Sequence, residues 1–306
     1  MTALPRLPNG AVVTVGTFDG VHLGHQAVVA ETVRRAKAAG RASVLVTFEP
    51  HPLAVVRPAD APPRLTTLVE RSAALAETEL DYQVVLRFDA ALAAMPPETF
   101  VRDILVDRCQ ARDLVIGHDH GFGRGRTGDR TMLETSGRAQ GFTVDAVGPV
   151  LVDGAPVSSS AIREAIGRRE FAVARRSLGR PYRVSGTVER GAQRGRTIGI
   201  PTLNVAPPDG KMLPPDGVYA VRVEWGGGVA GGMLNQGVRP TVGDPRRWLE
   251  AHLFDFEGDL YGREIRIEWV AALRDIRRFD SLEALRDQLG RDRVAALSAL
   301  DRAGDL

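Results

Sequence analysis

Two histidines three residues apart, His22 and His25, lie in the stretch GTFDGVHLGHQ (16–26), interleaved with Gly16, Gly20 and Gly24. Imidazole N–H groups donate to phosphate oxygens, and glycine lets a backbone turn tightly and approach a ligand closely. The stretch follows the apolar run AVVTVG (11–16) and opens the helical pattern HQAVVAETVRRAKAAG (25–40). A helix N-terminus there offers unpaired N–H groups and a positive dipole end, which would stabilise charge developing on an attacked phosphate. Two unrelated surface histidines beside a glycine turn are the plain alternative, and the position directly after the first strand argues against it. In VSSSAIR (157–163), Ser158, Ser159 and Ser160 precede a helical pattern that they can cap, and Arg163 in its first turns can reach a triphosphate.

A second set of residues lies in GTVERGAQRGRTIGIPTLNV (186–205). Gly191, Gly195 and Gly199 permit a mobile loop that wraps phosphate with backbone N–H groups, aided by Arg194 and Arg196. Thr202 supplies a hydroxyl and Asn204 a carbonyl oxygen, both hard ligands suited to magnesium. Spacing alone leaves a floppy surface loop or an arginine-rich nucleic-acid contact equally open. Further on, WLEAHLFDF (248–256) reads as a strand; period two puts Glu250, His252 and Phe254 on one face and Leu249, Ala251 and Leu253 on the other.

These residues need a scaffold, and the pattern of elements supplies two. In the first half, strand candidates at 11–16, 43–48, 83–88, 113–117 and 142–147 alternate with helical stretches at 25–40 and near 66–80, 97–109 and 129–140. Such alternation predicts a Rossmann-like parallel sheet covered by helices, with ligands beyond the strand carboxyl ends. From about Pro181, strands recur without helices between them, separated by PPDG twice (207–210 and 214–217) and by GDLYG (258–262). That pattern predicts an antiparallel β-barrel or sandwich, closed by a terminal helix with Ser281 as N-cap. The expected division is 1–180 and 181–306, with SLGRPY (177–182) as linker.

Composition narrows the class. The chain has 306 residues, 43% hydrophobic and 25% charged, as an ordinary two-domain globular protein would have. No apolar run approaches the roughly 18 residues of a membrane span, and the first residues show no signal-peptide pattern, so a cytoplasmic location is expected. Cys109, the one cysteine, excludes an internal disulfide and a multi-thiolate metal site and reads as a partly buried apolar residue. His22, His25, His51, His118 and His120 invite a zinc reading, but the pair forms HxxH rather than the HExxH helix. A net charge of only +2 and no aromatic stacking motif argue against a nucleic-acid binder. Self-association is left open as a weak or transient homo-oligomer.

GTFDGVHLGHQ resembles the signature of the nucleotidylyltransferase superfamily in the form found in bacterial FAD synthetases. FEPHP (48–52) resembles that family's proline-containing loop near the flavin, and GHDHGFGRGRTGD (117–129) its G-x-(D/N)-F-x-F-G segment. VSSSAIR resembles its S-S-T-x-I-R motif; the departures are His120 for the commoner phenylalanine and Ser160–Ala161 for Thr-Arg. The resemblance implies that Gly16, Phe18, Asp19, Gly24, Ser159, Ser160 and Arg163 bind ATP, with His22 and His25 catalytic and Pro50, Pro52 and Asp119 on the flavin. The phosphate of FMN would then attack the α-phosphorus of ATP, giving FAD and pyrophosphate.

The 186–205 stretch resembles the riboflavin kinase motif G-x-x-x-G-x-x-x-G-x-P-T-x-N at every defined position. GMLNQGVRPTVG (232–243) and LEAHLFDFEGDLYG (249–262) resemble the blocks that follow it. The resemblance implies that Gly191, Arg194, Gly195, Gly199 and Thr202 bind ATP and that Thr202 and Asn204 hold magnesium. Glu250 would be the general base on the ribityl 5′-hydroxyl of riboflavin, with Arg274 and Phe279 near the isoalloxazine and ADP as by-product. Together the motifs imply a bifunctional bacterial riboflavin kinase/FAD synthetase family member. A chain with an inactive kinase barrel, a nucleotide sensor or RNA-binding module, and an aminoacyl-tRNA synthetase fragment are the competing readings.

Overall fold

The computed structural model describes residues 4–118, 121, 128–191, 200–238 and 247–304. The chain divides into two compact units, Met1–Ser159 and Ser160–Leu306.

The first unit is built on a five-stranded sheet in the order β3-β2-β1-β4-β5, with every neighbouring pair parallel. Its strands are β1 (Ala11–Val15), β2 (Ala42–Glu49), β3 (Tyr82–Arg87), β4 (Ala111–Gly117) and β5 (Thr143–Val147). β1 is buried along its whole length because helices cover both faces, which is why AVVTV is apolar without alternation. Strand order reverses at β1, so the crevice beyond the carboxyl ends of β1 and β4 is the topological switch point where ligands bind in such sheets. Val15 opens there into the GTFDG turn, and Gly117 into the GHDH segment.

Local signals set the helices. α1 (Leu23–Ala39) starts two residues earlier than its apolar periodicity indicated, because His22 caps it, and Gly40 ends it in the left-handed region. The short helix α2 (Pro52–Val56) has Pro52 at its first position. α3 (Leu68–Ala76) begins at a capping box formed by Thr67 and Glu70. The helix expected over 97–109 is irregular: α4 (Ala90–Ala94) and α5 (Pro97–Phe100) lead into wider turns, and the Cys109 N–H reaches the Ile104 carbonyl five residues back. α6 (Arg130–Gln140) is capped by the Asp129 side chain, and a two-stranded hairpin, β6 (Leu151–Val152) and β7 (Ala155–Pro156), follows β5.

The second unit is a closed six-stranded barrel in the order β10-β11-β12-β9-β8-β13, antiparallel throughout. Its strands are β8 (Arg183–Glu189), β9 (Leu203–Val205), β10 (Gly217–Trp225), β11 (Gly228–Val238), β12 (Arg247–Leu253) and β13 (Glu264–Arg274). Tyr219, Leu234, Leu249, Ile265 and Trp269 fill its core. The closing helix α9 (Leu282–Gly304) starts where the Ser281 hydroxyl accepts the Ala284 N–H at 3.1 Å, and it packs on β10, β11 and β13. The α/β-then-barrel architecture read from the sequence is the one present.

α7 (Ser159–Gly167) and α8 (Phe171–Leu178) come next along the chain, and from Ser160 onward they belong to the second compact unit. The change of strand pattern in the sequence falls about twenty residues later, because these helices look like the last layer of an alternating α/β fold.

Cys109 is 2% exposed, and burial pushes its thiol up to about 11, since the thiolate is the form that burial penalises. At pH 8 the native protein should show no fast-reacting thiol toward an aromatic disulfide reagent, and one thiol after denaturation. Rapid labelling of the native chain would contradict this packing.

Candidate functional site

The turn after β1 is tied down at each step. The Gly16 N–H donates to the Val46 carbonyl at 3.0 Å, so the chain leaves β1 still paired with β2. Phe18 and Val21 then adopt φ of 48° and 41°, a region that costs side-chain-bearing residues of order 1–3 kcal/mol each. Asp19 holds this conformation. Its carboxylate, on a residue 2% exposed, accepts the Leu65 and Thr66 N–H groups, each at 3.0 Å, and the Thr66 hydroxyl at 3.2 Å. The Gly20 N–H donates to the same hydroxyl oxygen at 3.0 Å, and the Ser159 hydroxyl donates to the Asp19 carbonyl at 2.9 Å.

The turn delivers His22 to the N-cap of α1, where its Nδ1 accepts the His25 N–H at 3.3 Å. An accepting Nδ1 carries no proton, so the neutral ring keeps its proton on Nε2 as a donor. The two imidazoles stack with centroids 3.6 Å apart and planes 15° apart, and the Phe18 ring lies 5.1 Å from that of His25. A Cβ at Gly24 would stand 3.2 Å from the His22 ring, so only glycine lets that ring lie over the helix start without displacement. Two donor rings thus sit at the positive end of a 17-residue helix.

A residue that the motifs did not single out joins this turn to the proline loop. Arg71 on α3 is 3% exposed. Its guanidinium donates to the Thr17 carbonyl at 3.0 Å, the Phe48 carbonyl at 3.0 Å and Glu49 Oε2 at 3.1 Å. Glu49 also pairs with Arg64 at 2.9 Å, and the cis Glu49–Pro50 bond follows immediately. Burial draws the pKa of Arg71 down from the usual arginine value, and Glu49 and Asp19 oppose that shift. Arg71 carries no motif signal: in VERSAALA it reads as one more helical arginine. Pro50 is exposed at the loop and Pro52 starts α2, where the His51 ring accepts the Leu53 N–H. Ser160 and Arg163 lie on α7, exposed and half-buried respectively, and Asp119 and His120 fall outside the described residues.

In the barrel, antiparallel register places the second set in one row. Glu189 faces Asn204, Asn204 faces Glu250, Glu250 faces Asn235, Asn235 faces Val218, and Val218 faces Arg274. Directly opposed residues share a face with Cβ atoms about 5 Å apart. The flanking Leu249 and Ala251 are fully buried in the barrel core, so Glu250 is on the face that leaves the core. Asn204 is 4% exposed, and its amide N–H donates to the Thr202 carbonyl at 3.3 Å. A Cβ at Gly191 would come within 2.5 Å of the Asn204 amide, so glycine is what lets β8's continuation pass over it. Arg274 makes three hydrogen bonds of 2.8–3.1 Å to Asp292 on α9, with its guanidinium 5.6 Å from the Phe279 ring centre. Arg194, Gly195 and Gly199 fall outside the described residues.

Residues 4–161 match the model of the FAD synthetase family, and residues 178–300 that of the riboflavin kinase family. Proteins described as bifunctional riboflavin kinase/FMN adenylyltransferase align over more than nine-tenths of both chains. The one from Pseudomonas fluorescens is 43% identical, covering 95% of this chain and 93% of that protein. The one from Escherichia coli K12 is 39% identical, covering 94% and 92%. The chain belongs to the bifunctional riboflavin kinase/FMN adenylyltransferase family. In this family member the FAD synthetase match falls on the parallel-sheet unit and the kinase match on the barrel. A crystal structure described as a macrolide-efflux protein from Streptococcus pneumoniae has 30% identity and a TM-score of 0.84, covering 94% of each chain. Efflux is a description of that protein; among the described residues here, no helix is long and apolar enough to cross a membrane.

Removing the Arg71 guanidinium would release Thr17 and the proline loop together and leave Glu49 with Arg64 alone. Arg71→Met should lower FMN-to-FAD conversion at least about tenfold, as expected for loss of several charge-assisted bonds, with riboflavin phosphorylation within about twofold of the parent. Chromatographic assay of each step separately checks this, and parallel loss of both would refute a local role.

Proposed function

We propose that the parallel-sheet unit joins AMP to FMN at the N-terminus of α1 and that the barrel phosphorylates riboflavin at the Asn204–Glu250 row. The observation that carries the first assignment is the capped helix start with His22 Nε2 as a fixed donor beside the stacked His25. A phosphate of ATP at this end meets helix N–H groups and imidazole donors. An FMN phosphate oxygen attacks the α-phosphorus in line and the Pα–O bond to pyrophosphate breaks, with His22 and His25 stabilising the developing charge. Gly16, Phe18, Asp19 and Gly24 shape this cradle, Asp19 through Leu65 and Thr66. Ser159 fixes the Asp19 carbonyl, Ser160 and Arg163 contribute to triphosphate binding, and Pro50 and Pro52 border the flavin.

The register carries the second assignment. Glu250, between Asn204 and Asn235 on a face outside the core, takes the proton of the ribityl 5′-hydroxyl as that oxygen attacks the γ-phosphorus, releasing ADP. Gly191 and Thr202 border the phosphates. The Thr202 hydroxyl and Asn204 amide oxygen form a hard donor set next to a carboxylate, which suits magnesium; that ion neutralises phosphate charge when bound. Phe279 offers a ring to the isoalloxazine, and Arg274 fixes that ring through its own anchorage on Asp292. The partners are then small molecules alone, namely riboflavin, FMN, FAD, ATP, ADP and pyrophosphate, and the single buried thiol accords with a cytoplasmic setting.

Incubation of the pure protein with riboflavin, ATP and magnesium should yield FMN and then FAD, and absence of both would refute the proposal. Glu250→Gln should cut FMN formation by about 10²–10⁴-fold, the usual contribution of a general base, while sparing FMN-to-FAD conversion. His22→Ala should do the reverse. Either substitution disabling both steps in a folded protein would overturn the separation of sites.

A further inference from the structure

The ladder between β12 and β9 ends at the Ala251–Leu203 pair. The next residue of the β9 side, Thr202, follows Pro201, which has no N–H with which to continue a ladder. At this point a side chain replaces the missing backbone pairing: His252 Nδ1 lies 2.8 Å from the Pro201 carbonyl oxygen. A carbonyl only accepts, so Nδ1 is the donor and the tautomer of the neutral ring is fixed as Nδ1–H, the opposite of His22. The ring is steadied from behind by Phe254, edge-on at 6.0 Å, and Arg293 of α9 lies 4.6 Å from the Phe254 ring centre and 3.0 Å from Asp255. On the other side of Pro201, Ile200 packs into the cluster formed by Ala220, Met233, Phe254, Ala296 and Ala299.

We infer that His252 is a positioning residue for the kinase step: its Nδ1–H holds the Pro201 carbonyl and so sets the backbone that presents Thr202. The inference rests on the assignment of Thr202 to the phosphate and magnesium side of that site. His252 is two residues from Glu250 on the same strand face, so one strand carries both the group that takes the hydroxyl proton and the group that orders the ATP side. Proline before Thr202 thus ends the ladder and leaves its carbonyl to a side chain.

Amide substitutions separate the two ring nitrogens. In His252→Asn the amide N–H stands near the place of Nδ1–H, and in His252→Gln near that of Nε2. Steady-state riboflavin phosphorylation should show KM for ATP raised about five- to tenfold in His252→Ala and His252→Gln, the usual range for one neutral hydrogen bond, with kcat changed less. His252→Asn should recover most of that loss. FMN-to-FAD conversion by the same preparations should be unchanged, reporting on an intact chain. An Asn variant as impaired as the Ala variant, or an Ala variant with parent KM, overturns the inference. Thr202→Ala, assayed alongside, keeps it distinct from the reading beneath it. Unimpaired FMN formation in that variant refutes the Thr202 assignment itself, whereas impairment there with a normal His252→Ala refutes only the role of His252.

Discussion

A buried guanidinium ties the turn after β1 to the end of β2. Parallel strands end side by side and then hand the chain to loops with no ladder of their own, so something must fix the loops after β1 and β2 relative to each other. Arg71 does this from α3, reaching Thr17 beyond β1 and both Phe48 and Glu49 at the end of β2. A charge that is 3% exposed is costly without partners, and three acceptors, one in the turn after β1 and two at the end of β2, compensate it. Asp19 repeats the device with opposite sign, a buried carboxylate bonded to two backbone N–H groups of the next loop. The strained turn at Phe18 and Val21 persists because these two charges over-determine it.

The barrel meets the same requirement by register. Asn204, Glu250 and Asn235 come from three strands far apart in sequence, and antiparallel pairing alone aligns them. A slip of one residue would turn Glu250 into the core and Leu249 out of it, so the buried face specifies which way Glu250 faces. His22 and His252 are each held through Nδ1, His22 by accepting and His252 by donating, and the partner atom decides which nitrogen carries the proton.

Much of this was legible in the sequence for identifiable reasons. Alternating patterns gave the parallel sheet, and turn-separated strands gave the barrel, because both rest on periodicity. Glycine and histidine spacing put His22 and His25 at the start of the first helix, and His22 as the N-cap moved that start two residues upstream. Period two correctly separated Glu250 from Leu249. What stayed hidden was long-range partnership. Arg71 is an unremarked letter in a helix, and its meaning depends on carbonyls 54 and 23 residues away. The pairing of Arg274 with Asp292 likewise depends on where α9 docks. The bonds from Asp19 to Leu65 and Thr66 likewise span 46 and 47 residues.

Barrel closure also dictates an order of events during synthesis. The parallel sheet is complete once Val147 has been made, whereas β8 and β10, begun at Arg183 and Gly217, must wait for β13 to close the ring at Arg274. Domains fold as units behind the ribosome, earliest residues first. The adenylylating unit can therefore be finished while the kinase unit is still an open run of strands, and the enzyme for the second reaction matures before the enzyme for the first. A chain interrupted before residue 264 lacks the closing strand and so has no barrel on which to align Glu250.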